Sequence, residues 1–153
     1  DIKISKNGRY IALENLSDPS NLGAIARTAE ALGVDGIIMS ADSCDPYAPK
    51  SLRSSMGTLL RLPIFVVEDV ISFIKESNLR SFACVVDKDA DYISEQEFTD
   101  GDVMLIGNEA NGLTNDTKQK ADKQITIKMQ GKAESLNAAA AAAIAMWEMV
   151  KGK

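Results

Sequence analysis

The chain has 153 residues, 45% of them apolar and 25% charged, a balance that excludes disorder and suits one domain whose core needs no staple. Its 17 basic and 22 acidic residues give a formal charge of −5. There is no histidine, and the only cysteines, Cys44 and Cys84, lie far apart, so a His-ligated metal, a Ser-His triad and a Cys-His nucleophile are excluded and no metal is expected. The Ala-rich run Leu136 to Val150 is too short and too interrupted to span a bilayer, and the N-terminus lacks the pattern of a signal peptide. The expectation is no membrane partner and a cytoplasmic location.

Six short apolar runs predict strands at Tyr10 to Leu13, Gly36 to Met39, Ile64 to Val67, Phe82 to Val86, Val103 to Ile106 and Ile125 to Lys128. Between the first two, Leu22, Ile25, Ala26, Ala29 and Leu32 recur at helical spacing, and Gly33 stands where a left-handed stop is needed. Further helices are predicted at Lys50 to Leu60, Val70 to Glu76, Thr114 to Ala121 and Asn137 to Val150. Strands alternating with helices predict an α/β fold with a parallel sheet. No repeat or long linker divides the chain, so one domain is expected over 1–153.

The charge is uneven. Asp87 to Asp102 carries seven acids and one lysine, leaving the rest of the chain at +1. Lys50, Arg53 and Arg61 occur in a stretch without an acid, and Lys118 to Lys132 holds five lysines against Asp122. Both stretches suit phosphate contacts, though on charge alone ordinary solvated faces are the favoured reading.

Parallel sheets place ligands beyond the carboxyl ends of their strands, which directs attention to three loops. The first runs from Glu14 into a helix that Asn21 can cap, with Arg27 six positions later, as suited to a surface ion pair as to a functional role. The second, Gly107-Asn108-Glu109-Ala110-Asn111-Gly112-Leu113, has nearly the glycine spacing of a P-loop. It carries Leu113 where that loop needs lysine, which argues against nucleotide triphosphate hydrolysis. It also lacks the spacing of a dinucleotide site. What remains is uncovered backbone amides and one carboxylate, or simply a glycine turn. The third stretch runs from Ile125 to Asn137, where Ser135 and Asn137 suit helix capping, and leads into six alanines, Ala138 to Ala143.

Asp18-Pro-Ser-Asn-Leu-Gly-Ala-Ile-Ala-Arg27, then Gly107 to Leu113, then Ile127-Lys-Met with Ser135-Leu-Asn137, together resemble the three motifs of SpoU-type (TrmH-like) RNA 2′-O-methyltransferases of the SPOUT superfamily. Ser55-Met56-Gly57 resembles the family's Ser-x-Gly segment. The resemblance implies a mostly parallel six-stranded sheet with helices on both faces and a C-terminal deep trefoil knot. It also implies a homodimer through the knot region, with RNA, ribosomal or transfer, as the other partner.

The implied cofactor is S-adenosylmethionine, held by Gly107, Ile127 and Leu136, with Leu105, Ile106, Asn108 and Met129 completing the pocket. The implied reaction is methyl transfer to a ribose 2′-hydroxyl. Arg27 matches the family's catalytic arginine, in cis or from the partner subunit. Arginine is a poor base at neutral pH, which favours phosphate anchoring and stabilisation of a developing alkoxide. Asn21, Glu109, Ser135 and Asn137 match the other polar positions, and Lys50, Arg53, Arg61 and Lys118 are the expected RNA contacts. Lys128 stands where the family often has proline, implying a looser loop. The N-terminal RNA-binding domain common in the family does not precede the first strand here, which fits either a fragment or a minimal enzyme. The alternative is a non-catalytic RNA-binding module that retains the knotted fold.

Overall fold

Apolar runs that alternate between two faces become the strands of one parallel sheet in the structure, a computed structural model that describes residues 3–153. The strands are β1 (Tyr10–Leu13), β2 (Gly36–Ser40), β3 (Ile64–Val67), β4 (Arg80–Cys84), β5 (Asp91–Tyr92), β6 (Asp102–Ile106) and β7 (Lys123–Thr126). Their order is β3-β2-β1-β6-β4-β7-β5, and every pair is parallel. The helices are α1 (Pro19–Leu32), α2 (Pro49–Ser55), α3 (Val70–Glu76), α4 (Asn115–Lys120) and α5 (Ala138–Val150), with single 3-10 turns at Thr58–Leu60 and Ile93–Glu95.

Residue alternation divides the core into two layers. Ile11, Leu13, Met39, Met104 and Ile106 join Leu22, Ile25 and Ala26 of α1 and Ala142, Ala145 and Met146 of α5. Tyr10, Ala12, Ile38, Val103 and Leu105 join Val70, Ile71 and Ile74 of α3 on the opposite face. Among the described residues no helix is long and apolar enough to cross a membrane.

The sheet has seven strands where the sequence predicts six, because β5 is only two residues long and carries no periodicity. Strands β4 and β7 each begin two residues before their predicted starts. Their first residues, Arg80 and Lys123, are polar but pair in the ladder, Arg80 with Asp102 and Lys123 with Phe82. The predicted helix from Lys50 to Leu60 is broken: α2 stops at Ser55, and both Met56 (φ 53°) and Gly57 (φ 84°) are left-handed before the 3-10 turn. Helix α1 starts earlier than expected. Asp18 caps it, accepting from Ser20 N at 2.8 Å, with Pro19 in the first turn, which leaves Asn21 inside the helix with its side chain free for other work.

Helices α1 and α2 cross at Gly23. A Cβ there would lie 2.3 Å from Ser54 Oγ and 2.6 Å from the Ser54 carbonyl carbon. The Ser54 hydroxyl fills the crossing and donates to the Pro19 carbonyl at 2.9 Å. Gly23→Ala gains helix propensity, yet the clash with backbone outweighs it, and a net loss of about 1–3 kcal/mol is expected in urea denaturation. Unchanged stability would mean that the crossing opens freely.

Candidate active site

The loop after β6 returns on itself. Asn108 N donates to Gly112 O at 3.1 Å and Gly112 N to Asn108 O at 2.9 Å, with Gly112 left-handed at φ 69°. The return leaves no room for a side chain at Gly107, where a Cβ would stand 2.2 Å from both the Gly112 carbonyl carbon and Leu113 N. The Asn108 side chain is spent inside this scaffold. Its oxygen accepts from Ala110 N and Asn111 N, and its amide donates to Asn15 O at 2.9 Å and Asn15 Oδ1 at 2.8 Å.

Beside this loop lies a cleft of about 400 Å³ at the carboxyl ends of β4, β6 and β7. Ile106, Gly107, Ile127, Met129 and Leu136 line it, and Asn108, Glu109, Ser135 and Lys118 border it, so eight of these nine residues come from the expected active-site set and Lys118 from the expected RNA contacts. Leu105 does not line the cleft. It is fully buried on the α3 face because adjacent strand residues point to opposite sides, which aims Ile106 and Leu105 into different layers. The lining also includes Cys84, Val85 and Val86, which no motif marks, and Ala138 and Ala141 of α5. The Cys84–Val86 wall follows from the strand order: β4 lies between β6 and β7, a neighbourhood that no local pattern encodes. Burial pushes the Cys84 thiol up to about 11, so it serves as a neutral apolar surface.

Glu109 joins two of the motif loops. Its carboxylate accepts from Ser17 N at 3.0 Å, Ser17 Oγ at 3.1 Å, Asp18 N at 2.7 Å and Asn21 Nδ2 at 3.4 Å. Asn137 caps α5, accepting from Ala139 N at 2.8 Å and Ala140 N at 3.2 Å, and its amide donates to Asn21 Oδ1 at 3.4 Å. Glu109, Asn21 and Asn137 thus form one polar tie across the loops that bear the three motifs. Asn21 and Asn137 are not part of the cleft lining.

Partial burial raises the Glu109 carboxyl, but the backbone and Asn21 hydrogen bonds outweigh it and hold the group down to about 2. A carboxyl lowered by folding stabilises the protein fully above its unfolded value near 4.5, and that contribution disappears as pH falls through about 2. Glu109→Gln places an amide donor against backbone donors and is expected to cost about 1–3 kcal/mol at neutral pH. The variant should also lose the part of the acid-induced destabilisation that falls between about pH 4.5 and 2. Denaturant titrations across that range check both effects, and parallel pH curves for the two proteins would remove Glu109 from the linkage.

The basic residues have separate fates. Arg27 is exposed on α1 and makes no salt bridge among the described residues. Six positions after Asn21, it points about 120° away from it around the helix, so the chain does not bring it to the polar tie. Lys50 and Arg53 are exposed on α2. Arg61 is paired with Glu30 at the surface, Nε to Oε2 at 3.1 Å and Nη2 to Oε1 at 2.8 Å, so an RNA phosphate would have to compete with that exposed carboxylate. Lys128 sets its ammonium 5.5 Å from the Tyr92 ring centroid, a cation–π contact that tethers the loop after β7 to β5. The looser loop expected from the missing proline thus has a tether of its own.

Comparison with known proteins places this arrangement. The model of the SpoU rRNA Methylase family matches residues 8–147. The 23S rRNA (uridine(2479)-2′-O)-methyltransferase of Streptomyces viridochromogenes is 35% identical over 148 residues, covering 92% of this chain and 52% of that protein. The 23S rRNA (guanosine(2553)-2′-O)-methyltransferase RlmP of Bacillus subtilis is 28% identical over 150 residues, covering 96% and 60%. The crystal structure of the SpoU methyltransferase AviRb from S. viridochromogenes, in complex with the cofactor AdoMet, superposes with a TM-score of 0.87 at 32% identity, covering 97% of this chain and 62% of that one. The chain spans about half the length of the first two curated relatives it matches. With the fold, the three motif loops and the family match in agreement, the chain belongs to the SpoU rRNA Methylase family.

Proposed function

We propose that this chain is the catalytic part of an S-adenosylmethionine-dependent methyltransferase that acts on a ribose 2′-hydroxyl of ribosomal or transfer RNA in the cytoplasm. The observation that carries the reading is the cleft beside the Gly107 loop, built by two of the motif loops that mark the family. Its residues fit the cofactor. A volume of about 400 Å³ suits a nucleoside-sized ligand, and Ile127, Met129 and Leu136 offer apolar surface to a flat ring. Backbone groups of the Gly107 loop and of the stretch after β7 offer donors and acceptors to its edge.

When bound, S-adenosylmethionine supplies a sulfonium methyl with a good leaving group. The protein's work is then to align the hydroxyl and ease removal of its proton. Arg27 anchors the RNA phosphate and stabilises the developing alkoxide. Glu109, Asn21 and Asn137 act as positioning residues that hold the motif loops in register, and Ser135 stands at the mouth of the cleft.

A homodimer completes the site. In support, α5 exposes Ile144 and Trp147, the latter at 53%, on a helix whose opposite face is in the core, and Arg27 is directed away from its own polar tie. The C-terminal knot belongs to the same proposal, supported by the insertion of β7 between β4 and β5 and by the return of α5 onto the α1 layer.

Incubating the full-length protein with methyl-labelled S-adenosylmethionine and unmodified ribosomal and transfer RNA tests the reading. Label transferred to RNA is the expected result. A folded protein that transfers none to any RNA would favour the non-catalytic RNA module.

A further inference from the structure

The break after α2 leaves a feature that the cleft does not use. Met56 is a non-glycine residue held left-handed at φ 53°, and its side chain is 69% exposed, while Leu60 in the following turn is 70% exposed. Met56 is the left-handed C-cap of α2, its N–H reaching the Arg53 and Leu52 carbonyls, a place where glycine is the unstrained choice, and its exposed side chain offsets none of the Cβ cost by packing. Exposed Lys50 and Arg53 stand one turn apart on α2, and with Arg61 held by Glu30 they are the cations this acid-free stretch leaves free on a chain of net charge −5.

The turn is also placed beside Arg27. Gly23 meets Ser54 at one end of the α1–α2 seam, and Glu30 bonds Thr58 and Arg61 at the other. Arg27 lies four residues after Gly23 and three before Glu30, on the solvent side of the same row of α1.

We propose that the turn at Met56, with Lys50 and Arg53, is a docking surface for single-stranded RNA that delivers the target nucleotide to Arg27. The proposal rests on the functional reading above and deepens it. Lys50 and Arg53 track the phosphates, and the flexible apolar tip of Met56 packs on the face of an unstacked base. Base-paired RNA buries such faces, so the surface favours a loop or an open strand over a duplex.

The test measures binding of a labelled single-stranded RNA of about 12 nucleotides to the full-length protein, together with its urea midpoint and its oligomeric state. Met56→Gly relieves the backbone and removes the tip. Its midpoint should stay level or rise while RNA binding weakens at least about fivefold, whereas Met56→Leu should keep both near wild type. Lys50→Glu with Arg53→Glu should weaken binding at least about tenfold and flatten its salt dependence. Wild-type affinity in Met56→Gly, a lowered midpoint, or a change from dimer to monomer would overturn the proposal, the last two by showing that Met56 serves packing or a contact between subunits. A wild-type protein that neither binds RNA nor methylates it would overturn the functional reading along with it. Intact methylation with unchanged Met56→Gly binding would overturn this inference alone.

Discussion

Arg27→Ala is expected to lower the rate of methyl transfer at saturating substrates by at least about 10²–10³-fold, with the S-adenosylmethionine Kd changed by less than about twofold. The separation follows from position. Arg27 is exposed on α1 and faces away from Asn21, while the cleft is built from the ends of β4, β6 and β7 and the start of α5. Removing its side chain touches neither the Gly107 loop nor the apolar wall, so cofactor binding should survive. In the proposed homodimer, where Arg27 serves the cleft of the partner subunit, the effect is complementable. Mixing Arg27→Ala with a cleft-defective protein should restore activity through hybrid dimers that hold one intact site. Turnover near wild type in Arg27→Ala would remove the residue from the mechanism.

Gly107→Val is expected to raise the S-adenosylmethionine Kd at least about 100-fold, or about 2.7 kcal/mol, in calorimetric titration. The first atom added at Gly107 would lie 2.2 Å from two backbone atoms of the returning loop, and backbone held by the Asn108–Gly112 pair has no rotamer by which to move aside. The loop must open, which displaces the floor of the cleft and pulls Glu109 from Ser17 and Asp18. Gly152→Ala, outside the cleft lining, is the control, since its methyl meets open space, and it should bind as wild type does. Circular dichroism separates lost binding from lost folding. A folded Gly107→Val protein of normal affinity would mean that the loop is not the floor of the cofactor site.

The periodic and the punctuated parts of the structure were legible in the chain. Tyr10–Leu13 and Val70–Glu76 lie where their apolar patterns end, and Gly33 stops α1 as a left-handed glycine. The three motif loops do converge, because a parallel sheet collects the carboxyl ends of its strands on one edge. What the chain did not disclose depends on contacts distant in sequence. The Cys84–Val86 wall needed the position of β4 between β6 and β7, and β5 is too short to carry a pattern. Leu105 shows the hazard of extending a motif along a strand, where one residue's step reverses the face. Arg61 resembled a free cation until α1 placed Glu30 against it. Glu109 stands in the sequence only as one carboxylate in a glycine loop, and its hydrogen bonds to Ser17 N and Asp18 N depend on a loop 91 to 92 residues away.

The position of the transferred methyl bears most directly on the proposed chemistry. RNA labelled by the full-length protein can be hydrolysed in alkali, which cleaves beside every free 2′-hydroxyl. A methyl on the ribose oxygen blocks that attack, so the label is predicted in alkali-resistant dinucleotides. Label released in mononucleotides would mark methylation of a base and contradict the assignment to the 2′-hydroxyl.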